Sequence, residues 1–170
     1  MADGSKYVGE FFKGVIEGTG TYMWISGKSY NGHWKKSKME GFGNLKWPDG
    51  VEYIGQFSQD KFHGQGQYYW NDGKIYIGEW FQGLQHDERG KLIKGGTAKI
   101  GKYVMGERQG DWLQEIEESL SVSDIDSRRD LSYNPSRASM MSDLKSLNSK
   151  IQSKQQLPSN ADKSSSKYTF

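Results

Sequence analysis

Few side chains in this sequence combine a type and a spacing that could do chemistry. His63 and His86 stand 23 residues apart, and His33 falls at a different offset. There is no cysteine, so a zinc centre would need these imidazoles and some carboxylates to converge from separate stretches. Connector or solvent-face histidines are the plainer reading. Asp87 and Glu88 sit beside Arg89 in a stretch that reads as a loop, which suits a solvated charged turn better than an acid/base dyad. Gly18-Thr19-Gly20 is not followed by a helical pattern, and no Gly-Lys-Ser or Gly-Lys-Thr occurs, so a phosphate-cradling loop is not expected. Without a nucleophile, a dyad or a ligand set, neither an enzyme nor a cofactor is expected.

Aromatic rings and glycines are what the chain has in quantity. Aromatic residues make up 14% of it although hydrophobic residues reach only 34%. All 22 glycines and all 6 tryptophans lie between residues 4 and 112, whereas residues 113–170 have neither and carry 15 serines. The first part repeats every 23 residues. Tyr7-Val8-Gly9-Glu10-Phe11 returns as Tyr30-Asn31-Gly32-His33-Trp34, Tyr53-Ile54-Gly55-Gln56-Phe57 and Tyr76-Ile77-Gly78-Glu79-Trp80. A fifth copy, Lys99-Ile100-Gly101-Lys102-Tyr103, has lost the leading tyrosine. A second block follows each of the first three: Gly18-Thr19-Gly20, Gly41-Phe42-Gly43 and Gly64-Gln65-Gly66, ending in Trp24, Trp47 and Trp70. The fourth second block is degraded to Asp87–Ile93, and register returns at Gly96.

Both blocks alternate with period two, which predicts strands. One face should carry the rings and the other should be mostly polar. Glycine weakens a strand, so its place among the rings suggests that bare backbone makes room for a ring from a neighbouring strand. Connectors such as Ser58–His63 join the blocks, and Ser26-Gly27, Pro48-Asp49-Gly50 and Asn71-Asp72-Gly73 signal turns between repeats. Each repeat is thus a hairpin, marginal alone and stabilised by its neighbours.

The pattern Tyr-x-Gly-x-aromatic followed by Gly-x-Gly-x-x-x-Trp resembles the MORN repeat (membrane occupation and recognition nexus) over residues 7 to about 112. The resemblance implies an all-β, elongated, single-layer antiparallel ribbon of β-hairpins that serves as a scaffold or docking surface. Repeats should start near 7, 30, 53, 76 and 99, after an extension over 1–6. Small proteins of this family in cytoskeletal assemblies imply a cytoplasmic, cytoskeletal setting, the ciliary or flagellar axoneme foremost. The departures are the fourth second block, Lys99, and Trp112 in the place of a glycine, where it caps the open end.

A structural adaptor would present its aromatic face, Tyr7, Phe11, Tyr22, Trp24, Tyr30, Trp34, Trp47, Tyr53, Phe57, Tyr68, Trp70, Tyr76 and Trp80, both as its core and as its partner-binding surface. The expected partners are other proteins of a large assembly, with a homodimer possible and nucleic acid excluded by a net charge of only +2. The alternative is a peripheral adaptor for acidic phospholipids, but Lys35-Lys36-Ser37-Lys38 is the only tight basic cluster and gives weak attraction. No apolar run is long enough to span a bilayer, and the N-terminal residues, with Ala2 in second place, suggest neither a secretory signal nor an acyl anchor. Residues 113–170 read as a serine-rich tail, acidic before residue 131 and basic after it. Within it Met140, Leu144, Leu147 and Ile151 form one stripe of a candidate helix over 139–157 that would dock on a partner.

Overall fold

The computed structural model describes residues 4–117. Each first block becomes a seven-residue strand and each intact second block a nine-residue one: β1 (Lys6–Phe12), β2 (Val15–Met23), β3 (Ser29–Lys35), β4 (Lys38–Lys46), β5 (Glu52–Ser58) and β6 (Lys61–Tyr69). The fourth repeat gives β7 (Ile75–Phe81), the two-residue β8 (Leu84–Gln85) and β9 (Asp87–Lys94). The fifth gives β10 (Thr97–Val104) and β11 (Glu107–Glu117). All pairings are antiparallel and follow chain order, with β8 as a short annex to β7. Among the described residues there is one open all-β sheet and no helix.

Two kinds of turn produce the meander. Within a repeat the turn has only two residues, Lys13-Gly14, Lys36-Ser37, Gln59-Asp60, Gln82-Gly83 and Met105-Gly106, all at positive φ. That is the turn whose twist matches its flanking strands. The six-residue connector expected at Ser58–His63 is therefore two residues long, and Phe62 and His63 belong to β6. Between repeats, Trp47 N–H donates to Val51 O and Gly50 N–H to Trp47 O, and Trp24–Lys28 and Trp70–Lys74 close in the same way. The tight turns also stack on one another. The Ser37, Asp60, Gly83 and Gly106 amides donate to the carbonyls of Ile16, Met39, Phe62 and Gln85 in the preceding repeat.

The rings share one face, as the alternation predicts. Tyr30, Trp34, Tyr53, Phe57, Tyr76 and Trp80 are buried there with Ile16, Met39, Leu45 and Tyr103, and Tyr7, Tyr22, Trp24, Trp47, Phe62, Tyr68 and Trp70 pack around them. The opposite face is less uniformly polar than expected. Tyr69, Ile75, Ile93 and Ala98 form a second apolar cluster there, flanked by Ile54 and Ile77. Nearby the buried Glu52 carboxylate accepts from Asn44 Nδ2 at 2.8 Å and lies 3.2 Å from Lys46 Nζ.

Strand β11 continues to Glu117, past the boundary expected at Trp112, and Lys6 already belongs to β1 rather than to an extension. The candidate helix 139–157, with Met140, Leu144, Leu147 and Ile151, lies outside the described residues.

Candidate interaction surface

The glycines divide into two roles. In the second block the later glycine makes room for a ring: a Cβ on Gly20, Gly43 or Gly66 would fall inside the ring of Tyr7, Tyr30 or Tyr53. The earlier glycine does something else. Gly18, Gly41 and Gly64 have φ of +75°, +65° and +56° and sit at register shifts of the hairpins, the geometry of a β-bulge. Their missing side chains would meet Glu10, His33 and Gln56, not the rings. The expectation that both glycines of a pair lie among the rings is corrected accordingly.

The bulge is capped from the first strand. Gln56 Oε1 accepts the Gln65 N–H at 3.0 Å, and Glu10 Oε1 accepts the Thr19 N–H at 2.8 Å and its hydroxyl at 2.5 Å. These bonds hold the Glu10 carboxyl below its ordinary pKa. In the second repeat His33 Nδ1 lies 3.2 Å from Phe42 O. His86 Nδ1 takes the Met105 N–H at 3.4 Å, as the Glu17 and Glu40 carboxylates take the Lys36 and Gln59 amides. His63 and His86 pack on either side of Phe81. Among the described residues no group of three potential metal ligands occurs, and these bonds give His33 and His86 structural work.

Each of Tyr7, Tyr30 and Tyr53 is folded over bare backbone and its hydroxyl finds a carbonyl in its own strand. Tyr30 donates to His33 O at 2.9 Å, Tyr53 to Gln56 O at 2.9 Å and Tyr7 to Glu10 O at 3.1 Å. Its ring meets two others edge-on: Tyr53 lies 5.1 Å from Phe57 and 5.4 Å from Trp80 of the next repeat, and Tyr30 lies 4.9 Å from Trp34 and 5.0 Å from Phe57. Such pairs contribute about 0.5–1.5 kcal/mol beyond area burial. Burial raises the Tyr53 and Tyr76 hydroxyls far above the ordinary tyrosine pKa.

The fourth repeat breaks the pattern by one residue. Gly90, not residue 89, lies under Tyr76, and Gly95-Gly96 then closes a two-residue turn at φ +58° and +80°. The extra residue and the shortened turn cancel, so the period survives. The cost falls on Tyr76: the Glu79 carbonyl accepts the His86 N–H, and the buried Tyr76 hydroxyl has no hydrogen-bond partner. In the fifth repeat the parts change strands. Lys99 replaces the tyrosine, Trp112 replaces the glycine, and the Trp112 ring covers Gly101 from the other side of the hairpin, 3.0 Å from where a Cβ would stand. Arg108 stacks on its outer face at 4.6 Å.

Four consecutive stretches, residues 7–29, 30–52, 53–75 and 76–86, match the family model described as MORN repeat. The chain is a MORN-repeat protein. MORN repeats are non-catalytic modules linked to protein or membrane-lipid interaction. The match ends at residue 86, within the fourth repeat, whereas strand pairing in this MORN array runs on to Glu117. A comparison with curated protein sequences gives no match.

Of the rings expected to bind a partner, Tyr30, Trp34, Tyr53, Phe57, Tyr76 and Trp80 are enclosed in the packed cluster. Trp24, Trp47 and Trp70, at the joints between repeats, are half-buried and roofed by lysines. Lys28 Nζ stands 5.0 Å over Trp24 and 5.2 Å over Trp47, and Lys74 Nζ 4.2 Å over Trp70. Burial against these rings lowers the Lys28 pKa. Tyr7 and Phe11 lie at the free edge formed by β1.

Proposed function

We propose that this MORN array is a non-enzymatic scaffold that docks an apolar, acid-flanked polypeptide segment along the row Trp24, Trp47 and Trp70. The observation that carries this reading is the spacing of three partly buried indoles at one per repeat, each beneath the movable side chain of Lys28 or Lys74. Aromatic residues that combine a large apolar body with a polar tip are those that anchor interfaces, and the lysines supply charge selection. The setting is a cytoskeletal assembly in the cytoplasm, with the axoneme of a cilium or flagellum favoured by the resemblance of this short repeat array to ciliary MORN proteins. Proximity labelling in ciliated cells tests it. The full chain enriches axonemal proteins, and a Lys28→Glu, Lys74→Glu variant loses that enrichment; equal labelling by both would refute the docking row.

The second reading is an adaptor for acidic phospholipids, favoured by the exposed Lys35, Lys36 and Lys38 at the β3–β4 turn. Flotation of the full chain with phosphatidylserine vesicles at low and physiological salt separates the two. Binding that persists at physiological salt would favour the lipid reading.

A further inference from the structure

The two edges of the sheet are finished differently. Strand β11 carries exposed Glu107, Arg108, Asp111, Glu115 and Glu117, a positive-φ Gly110, and Trp112 folded inward over Gly101. Charges and bulges of this kind blunt an edge against pairing. Strand β1 has only Lys6 and Glu10 as charges, and it exposes more apolar surface than the single Leu113 of β11. Phe11 is 57% exposed, whereas the residues at its position in the later repeats, Trp34, Phe57, Trp80 and Tyr103, are between 3% and 6% exposed because a preceding hairpin lies beside them. Tyr7 is likewise partly open where Tyr30, Tyr53 and Tyr76 are sealed. Val8, at 69%, and Phe12, at 63%, add exposed apolar surface to the same strand. A terminal repeat that stands alone normally has a polar outer face, so β1 has the character of an inner strand, with one side unpaired among the described residues.

We infer that the missing neighbour is β1 of a second copy of this chain, paired antiparallel about a twofold axis through Val8. Faces are preserved only in registers that keep odd residues opposite odd and even opposite even. Centring on Val8 sets Val8 against Val8 once, and Tyr7 against Gly9 and Lys6 against Glu10 twice each. Each Tyr7 ring stays folded over Gly9 and Gly20 of its own hairpin, so the contact rests on the valine pair and on charge. Lys6 faces an exposed carboxylate whose Oε1 is already fixed by Thr19. Centring on Gly9 instead would set Lys6 against Phe12 and Val8 against Glu10. Pairing β1 to β11 of another copy with Gly9 opposite Trp112 would set Asp111 against Glu10 and Phe11 against Gly110, with the Trp112 ring already spent on Gly101. The Val8-centred register is thus the one that sets Lys6 against Glu10. An isologous contact of this kind closes after two copies, and its axis is normal to the sheet, so the two aromatic faces become one.

Sedimentation of the full chain over about 1–200 µM tests the assignment. The wild type passes from monomer to dimer as concentration rises. Val8→Lys, which sets two like charges across the axis, shifts the midpoint at least tenfold while leaving the thermal melt unchanged. Because the chain has no cysteine, Val8→Cys gives a second readout. Opposed strand residues are close enough for a disulfide, so mild oxidation cross-links Val8→Cys into a dimer and leaves Glu115→Cys, on the other edge, monomeric. A wild type that stays monomeric throughout, a Val8→Lys variant that dimerises as the wild type does, or equal cross-linking from both cysteines would overturn the inference. Loss of the docking row in cells with an intact dimer would leave it standing.

Discussion

Replacing the two central tyrosines by phenylalanine isolates the hydroxyl from the ring, and the structure assigns the two sites opposite signs. Tyr53 is buried and donates to Gln56 O at 2.9 Å. Tyr53→Phe keeps the edge-on ring contacts but removes one hydrogen bond and strips a buried carbonyl of a partner. The expected loss is about 1–2 kcal/mol. Tyr76 packs in the same way, 5.3 Å from Trp80 and 5.0 Å from Tyr103, but its hydroxyl has no partner. Tyr76→Phe removes a desolvated, unpaired group whose burial costs roughly 1–3 kcal/mol, so the variant should be neutral or more stable by up to about 1 kcal/mol. The two variants should therefore differ by about 2 kcal/mol, several degrees in melting temperature for a domain of this size. Differential scanning calorimetry on the full chain, with tryptophan emission as a second probe, reads this directly. Equal destabilisation by both substitutions would refute the claim that the one-residue slip in the fourth repeat orphans Tyr76.

Gly66→Ala drives a Cβ into the Tyr53 ring and should cost about 1–3 kcal/mol by overpacking, whereas Gly50→Ala, which meets nothing within 4 Å, should cost only about 1 kcal/mol of backbone strain at φ +88°; urea titrations compare the two. Burial raises the pKa of Tyr53, Tyr76 and Tyr103, so the unfolded chain ionises first: stability is intact below about pH 10 and falls as pH rises beyond it. Spectrophotometric titration at the tyrosinate band should show these phenols ionising only together with unfolding, and early reversible ionisation of all ten tyrosines would contradict the burial. Trp112→Ala should uncover Gly101 and cost about 1–3 kcal/mol, read most locally as faster amide exchange in residues 97–117 than in 29–69.

Much of this was legible in the residues because the period is strict. Identical spacing forces identical neighbours, so the ring face and the hairpin meander could be read from Tyr30, Tyr53 and Tyr76 with their partners. What escaped was what does not depend on alternation. Ile16, Met39 and Phe62 also recur every 23 residues and belong to the core, but Phe62 had been assigned to a connector, since a two-residue turn of Gln59-Asp60 has no glycine to announce it. Gly64 read as a gap beside a ring, because bulge and gap both call for glycine and only the dihedral angle separates them. The cluster of Tyr69, Ile75, Ile93 and Ala98 arises late in the array, where single apolar residues meet across strands that no local window compares. The row of half-open indoles lay within the expected face, but which rings stay accessible depends on how many neighbours each strand has, and that is a property of the whole sheet.

The exchange of ring and glycine in the fifth hairpin gives the array a direction. Gly20, Gly43 and Gly66 each stand opposite a glycine of the next strand, Gly32, Gly55 and Gly78, and that bare crossing lets another hairpin be laid on. Trp112 fills the corresponding position with an indole, so the template that admits each new unit is withdrawn after the fifth. Duplication of a middle repeat would keep glycine opposite glycine, whereas a unit laid beside β11 would meet an indole at that position. Among the described residues Trp112 therefore closes the run of bare crossings, with Lys99 and Arg108 against its ring.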